Sequence, residues 1–235
     1  HLSLVPARLR ATRSDLVVAH FTHTPFCTPE ELRVLPDDIA AELLGGMAAG
    51  VACGFHTRRW ASSFAACCEE VLGRRVPTFV APAAPDLADL GEVASSAASV
   101  EAGRRLDAAV GDRALIVRVD RIELSKNIVR GFLAFDELLA AHPEWRGRVV
   151  FGAFVYPSRQ ALPEYRAYAA AVDDAVSRVN ERWATDDWTP ILLDRRDEFA
   201  TSVAALGRYD VLLVNPVRDG LNLVAKEGPA VNRTD

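Results

Sequence analysis

The sequence lacks most of the short motifs that announce a chemistry by themselves. It contains no G-x-S-x-G, H-E-x-x-H, Walker A or G-x-G-x-x-G pattern, so a nucleophile elbow, a zincin helix, a P-loop and the dinucleotide fingerprint are all missing. Cysteine is scarce, four residues, and none forms a C-x-x-C pair. Cys27, Cys53, Cys67 and Cys68 are therefore expected as buried free thiols in a reducing compartment, which points to the cytoplasm. His20 and His56 have no carboxylate or cysteine partner at metal-ligand spacing, so neither a metal nor another cofactor is expected. Apolar runs stop far short of the roughly 20 residues that span a bilayer. Positive charge is outnumbered, 27 Lys and Arg against 32 Asp and Glu, for a net charge of −5. That balance argues against nucleic acid or an anionic membrane as a partner. Any phosphate-binding site must be a local concentration of Arg and Lys in a mildly acidic protein.

What is present is a chain of 235 residues, half of them hydrophobic and a quarter charged, enough for one large domain or two small ones. Its second half alternates regularly. Strand-length apolar runs at Ala114–Val119, Arg148–Val155, Pro190–Leu193 and Asp210–Val214 are each followed by a helical pattern. The first such helix carries Ile128, Phe132, Phe135 and Leu138/Leu139 at helical spacing, and the second opens at Pro163, where a first turn tolerates proline. Four strand–helix repeats predict a parallel sheet covered by helices on both faces. The first half is less regular. Leu16–Phe21 reads as a buried strand and Gly50–Phe55 as a short one; Ile39–Met47 and Trp60–Leu72 read as helices, the latter with Trp60, Phe64, Cys67/Cys68 and Val71 on one face. The stretch Val80–Asp107, rich in Ala, Ser and acidic residues, is the expected junction, which places a first domain at 1–108 and a second at 109–235.

In open parallel sheets, ligands bind beyond the carboxyl ends of the strands. Each strand end here carries polar chemistry: Thr22-His23-Thr24-Pro25, then Asp120 to Asn127, then Tyr156-Pro157-Ser158-Arg159, then Asn215 to Glu227. Arg121 and Lys126 fall in a strand-to-helix loop, where cations can meet phosphate oxygens beside free helix amides. The Gly220 turn, Asn222 and the following helix offer further amide donors, and Glu227 lies about one turn in, where a carboxylate can accept from hydroxyls. Taken singly, each has an ordinary reading: a solvated charge, a capped turn, a core histidine at His23. Their convergence on one sheet edge is what argues for a site.

The segments Phe21-Thr22-His23-Thr24-Pro25-Phe26, Val119-Asp120-Arg121 with Leu124-Ser125-Lys126-Asn127, Tyr156-Pro157-Ser158-Arg159, Trp188-Thr189-Pro190 and Arg218 to Glu227 occur in this order. Together they resemble the trehalose-6-phosphate synthases, the retaining glycosyltransferases of family 20, from His1 to the C-terminus. The resemblance implies an α/β fold of the GT-B type, two Rossmann-like domains with parallel sheets, both incomplete here. It implies transfer of glucose from a nucleoside-diphosphate glucose (UDP- or GDP-glucose) to glucose 6-phosphate, with front-face attack assisted by the leaving phosphate. Arg121 and Lys126 would hold the donor diphosphate. Asp219 and the backbone after Gly220 would hold the donor sugar's hydroxyls, and His23 would contact the same sugar. Leu221, Asn222, Leu223 and Val224 would line the donor turn, Glu227 would bind the ribose, and Arg159 would meet the acceptor's phosphate.

The chain departs from the family pattern at two places. The usual Asp-Tyr-Ser-Lys-Gly reads Glu123-Leu124-Ser125-Lys126-Asn127, without the aromatic and the glycine, and Leu221 stands where methionine is common. Two alternatives therefore stay open: a pseudo-glycosyltransferase that joins a nucleotide-activated cyclitol to an aminocyclitol phosphate, and a catalytically silent regulatory member. Homo-oligomerisation is also open. His1–Arg10 reads as a helix already under way, and the last residues as a helix just begun. The expectation is an internal piece of a longer protein, inactive alone.

Overall fold

The computed structural model describes residues 2–233. Packing divides the chain into two units, His1–Ala83 with Asp219–Leu221, and Ala84–Arg218 with Asn222–Asp235. The helix expected at the start is present as a single 3-10 turn, Leu2–Leu4, running into α1 (Val5–Thr12); His1 lies outside the described residues.

The first unit is built on a three-stranded parallel sheet, β1 (Ala19–Thr22), β2 (Ala52–Phe55) and β3 (Thr78–Val80), in that order. Between β1 and β2 run α2 (Pro29–Leu32) and α3 (Asp37–Met47), and α4 (Arg58–Leu72) follows β2. The α4 helix starts where the Thr57 hydroxyl accepts the Trp60 amide hydrogen, and it ends at Gly73, whose φ of 65° suits glycine. Its apolar face buries Trp60, Phe64, Cys67 and Cys68, as the 3.6-residue period requires. Phe26, Phe55 and Phe64 stack edge to face or tilted within 6 Å at the centre of this core. All four cysteines are unbridged. Burial pushes the Cys53 and Cys67 thiols up to about 12 and that of Cys68 to about 11.

The second unit opens with α5 (Leu87–Ser95) and α6 (Ala97–Val110). It then alternates through β4 (Ala114–Ile122), α7 (Ile128–Ala141), β5 (Val149–Pro157), α8 (Pro163–Trp183), β6 (Ile191–Asp194), α9 (Phe199–Leu206), β7 (Val211–Leu212) and α10 (Val224–Val231). The sheet is parallel throughout, in the order β6-β5-β4-β7. Phe132 and Phe135 of α7 pack edge-on against Phe151 of β5, the heart of the larger core.

Several boundaries differ from the sequence reading. The β1 strand begins at Ala19 rather than Leu16, because Leu16 and Val17 are exposed and the sheet partner starts at Ala52. The β4 strand runs on to Ile122, paired with β5 as far as Pro157, so Arg121 belongs to the strand and not to the loop after it. The α10 helix starts at Val224. The packing division falls near Ala83, inside the expected junction Val80–Asp107. Leu106 and Val110 of α6 sit in the second core, and the Ser99 hydroxyl donates to the Ala200 carbonyl at 2.9 Å. Among the described residues, no helix is long and apolar enough to cross a membrane.

Candidate functional site

Strand order marks a candidate ligand crevice in the second unit. From β4 the chain proceeds to β5 and β6 on one side, then returns to place β7 on the other side of β4. The loops leaving β4 and β7 therefore diverge from neighbouring strands, the topological switch point at which parallel sheets open a crevice for ligands. Arg121 is the penultimate residue of β4, and the two loops carry Glu123 to Asn127 and Asn215 to Leu223.

The β4 loop closes with a 3-10 turn, Leu124–Lys126, and then Asn127 takes left-handed backbone angles, φ 60° and ψ 34°. Asparagine is one of the few residues that adopts this conformation readily. The glycine expected there is thus replaced without losing the turn, and the Asn127 carboxamide adds a bond, donating to the Asn215 carbonyl at 3.1 Å. A second bridge joins the same two loops, from the Val217 amide to the Ser125 carbonyl at 2.9 Å. The Lys126 ammonium lies 3.7 Å from Asp120 Oδ1 and is largely buried. Arg121 is half exposed and pairs with Glu123 at 3.3 Å, and Glu123 also accepts from the Ser158 hydroxyl at 3.2 Å.

The amides at the start of α7 are not open to a ligand: the Ile128 N–H donates to the Tyr168 hydroxyl of α8 at 2.8 Å. Sequence reasoning expected them free. In the other loop, Asn222 Oδ1 accepts the Ala225 amide hydrogen at 3.3 Å and caps the first turn of α10. The Leu223 carbonyl accepts from both the Lys226 and Glu227 amides at 2.8 Å, Val224 opens the helix, and Glu227 lies in its first turn. Burial raises the Glu227 carboxyl above its ordinary value. Arg159 has a positive φ of 44°, rare for a residue with a side chain, and its guanidinium donates to the Tyr165 hydroxyl at 3.2 Å. Its contacts are with α8 rather than with Arg121 or Lys126.

In the first unit, His23 follows β1 and His56 follows β2. His23 Nδ1 lies 3.1 Å from His56 Nε2, and His56 Nδ1 accepts the Ala83 amide hydrogen at 3.3 Å. Phe21 packs against both rings at about 5 Å. Asp219, Gly220 and Leu221 group with this unit. Gly220 is buried, and a Cβ there would overlap the His23 carbonyl oxygen. The glycine is needed for close approach and not for a left-handed turn.

The expected residues thus divide. His23, Asp219, Gly220 and Leu221 group in the first unit, and Arg121, Lys126, Arg159, Asn222, Leu223, Val224 and Glu227 in the second. Sequence reasoning missed Arg118, Asp120, Asn215 and His56 as partners of these residues. For Arg118 a signal existed, a lone arginine inside the apolar run Leu115-Ile116-Val117-Arg118-Val119, but reading that run as an uninterrupted core strand absorbed it.

The family model for glycosyltransferase family 20 matches residues 1–234. The chain belongs to glycosyltransferase family 20. A similar family 20 protein is the bifunctional trehalose-6-phosphate synthase/phosphatase of Thermoproteus tenax, 33% identical over 99% of this chain and 34% of that protein. Among solved structures, an α,α-trehalose-phosphate synthase (UDP-forming) from Burkholderia xenovorans in complex with glucose 6-phosphate superposes with a TM-score of 0.90. It is 27% identical, over 99% of this chain and 54% of that one. The Escherichia coli protein bound with UDP-2-fluoro glucose gives 0.88 at 26% identity, with the same coverage. These matches give the family 20 chain the α/β, GT-B architecture of those structures. The chain spans about a third of the length of the Thermoproteus protein and about half of each of the two structures.

Proposed function

We propose that the protein transfers glucose from a nucleoside-diphosphate glucose to glucose 6-phosphate, with retention of anomeric configuration, to give trehalose 6-phosphate. The observation that carries this reading is the switch point between β4 and β7, where Arg121 lies at the end of the strand, Lys126 follows in its loop, and that loop is bridged to the one that leads into α10. Cations held in place by surrounding structure, where negative charge develops on a leaving phosphate, are a large term in such transfers. Lys126 is largely buried against Asp120, so it need not reorganise from a solvated state, whereas Arg121 is half exposed beside Glu123.

In this reading Arg121 and Lys126 bind the donor diphosphate and stabilise its departure. Glu227 accepts from the ribose hydroxyls, and Asn222, Leu223 and Val224 line the turn beside the phosphates. His23 and Asp219, with the backbone at Gly220 and Leu221, bind hydroxyls of the transferred sugar, and Arg159 meets the acceptor phosphate. The two units are the latter part of an acceptor-side domain and the first part of a nucleotide-sugar domain. The relatives named as UDP-forming favour uridine as the donor base.

The test is turnover by the intact protein with glucose 6-phosphate and either UDP-glucose or GDP-glucose. Formation of α,α-linked trehalose 6-phosphate, identified by NMR, is expected. Turnover only with a nucleotide-activated cyclitol and an aminocyclitol phosphate would replace this reading with the pseudo-glycosyltransferase one.

A further inference from the structure

Arg118, in the middle of β4, is the largest fully buried side chain among the described residues, with no exposed surface. Strand alternation puts it on the same face as Asp120. Its Nε donates to Asp120 Oδ2 at 2.9 Å, and its Nη2 donates both to the Lys126 carbonyl and to Asn215 Oδ1, each at 2.6 Å. One guanidinium therefore holds a carboxylate, the peptide of the proposed diphosphate-binding lysine, and the loop after β7. The arrangement carries two visible costs. Nη1 is buried with no hydrogen-bond partner, and α7 has glycine at 131, where a Cβ would come within 2.5 Å of that nitrogen. A buried orphan donor is expensive, and glycine weakens a helix interior. An apolar residue at 118 would avoid both costs, so stability of the strand does not account for the arginine.

We propose that Arg118 is a positioning residue for phosphate binding, resting on the functional reading above. It acts in two ways. By fixing the Lys126 peptide from the buried side, it fixes where the Lys126 side chain leaves the loop. By taking up Asp120 Oδ2, it shares the carboxylate whose other oxygen lies 3.7 Å from Lys126 Nζ, so that Asp120 neutralises the lysine less fully toward an anion.

The experiment compares binding of UDP and of uridine to the intact protein, its Arg118→Met variant and the double variant Arg118→Met/Asp120→Asn, by calorimetry or ligand-observed NMR. Loss of a general fold weakens both ligands; loss of a phosphate-positioning group weakens only the one with phosphates. Arg118→Met is expected to weaken UDP at least about tenfold and leave uridine within about twofold. The double variant, which removes the carboxylate left without its arginine, is expected to recover part of the UDP affinity, and it keeps the test open if the single variant does not fold. Equal UDP-to-uridine ratios in wild type and a folded variant would overturn the proposal. If the wild-type protein binds uridine no less tightly than UDP, the functional reading itself fails, and the proposal with it.

Discussion

His56 Nε2 and His23 Nδ1 stand 3.1 Å apart, and the Ala83 amide donates to the far nitrogen of His56. Because His56 Nδ1 accepts, its proton sits on Nε2, which then donates to His23 Nδ1. That leaves the His23 proton on Nε2, on a ring at the surface, so the tautomer of an exposed histidine is set by a backbone amide two partners away. A ring fixed in this way offers a hydrogen-bond donor, which suits a sugar hydroxyl.

The first prediction is spectroscopic. In 15N-histidine-labelled protein at neutral pH, His23 is expected as the Nε2–H tautomer, and His56→Phe is expected to shift it toward a mixture. A wild-type His23 carrying its proton on Nδ1 would disprove the relay.

How much of this was legible beforehand varies by element. The long β4 and β5 strands, and the helical faces with Phe132 and Phe135 or with Trp60 and Phe64, follow from periodicity because burial enforces it. What periodicity could not supply is anything that depends on side chains meeting across distant segments. His56 became important only when β2 was laid beside β1, and Asn215 only when β7 crossed to pair with β4. The end of β4 was misjudged because Asp120 looks like a strand terminator when its buried partner, Arg118, is not considered. The junction Val80–Asp107 reads as one stretch because Ala- and Ser-rich helices such as α5 and α6 carry little compositional contrast with a linker.

Gly220→Ala is the second prediction. The added methyl would collide with the His23 carbonyl, which is backbone and cannot rotate away. We expect a loss of about 1–3 kcal/mol in denaturant unfolding, the usual range for forcing atoms into a filled site. A change below about 0.5 kcal/mol would show that the Asp219–Leu221 segment does not pack as described.

Glu227 supplies a pH-dependent prediction. Desolvation raises its folded-state value above the unfolded one, so the folded state binds the proton more tightly. The sign of the linkage follows: the stabilising contribution is complete below the unfolded value and is lost as pH rises through the folded one. Unfolding free energies of wild type and Glu227→Gln, compared from pH 4 to pH 7, should therefore diverge, with wild type losing ground to the variant as pH increases. The opposite slope would mean that a cation, not burial, dominates at this carboxylate.

The central claim is that Arg121 and Lys126 stabilise charge developing on the donor phosphate, and substitution of each in the intact protein tests it most directly. With UDP-glucose and glucose 6-phosphate at saturation, Arg121→Ala and Lys126→Ala are each expected to lower kcat about 10²- to 10³-fold, the scale found when one preorganised electrostatic contact to a transition state is removed. Turnover within about twofold of wild type in either folded variant would contradict the account.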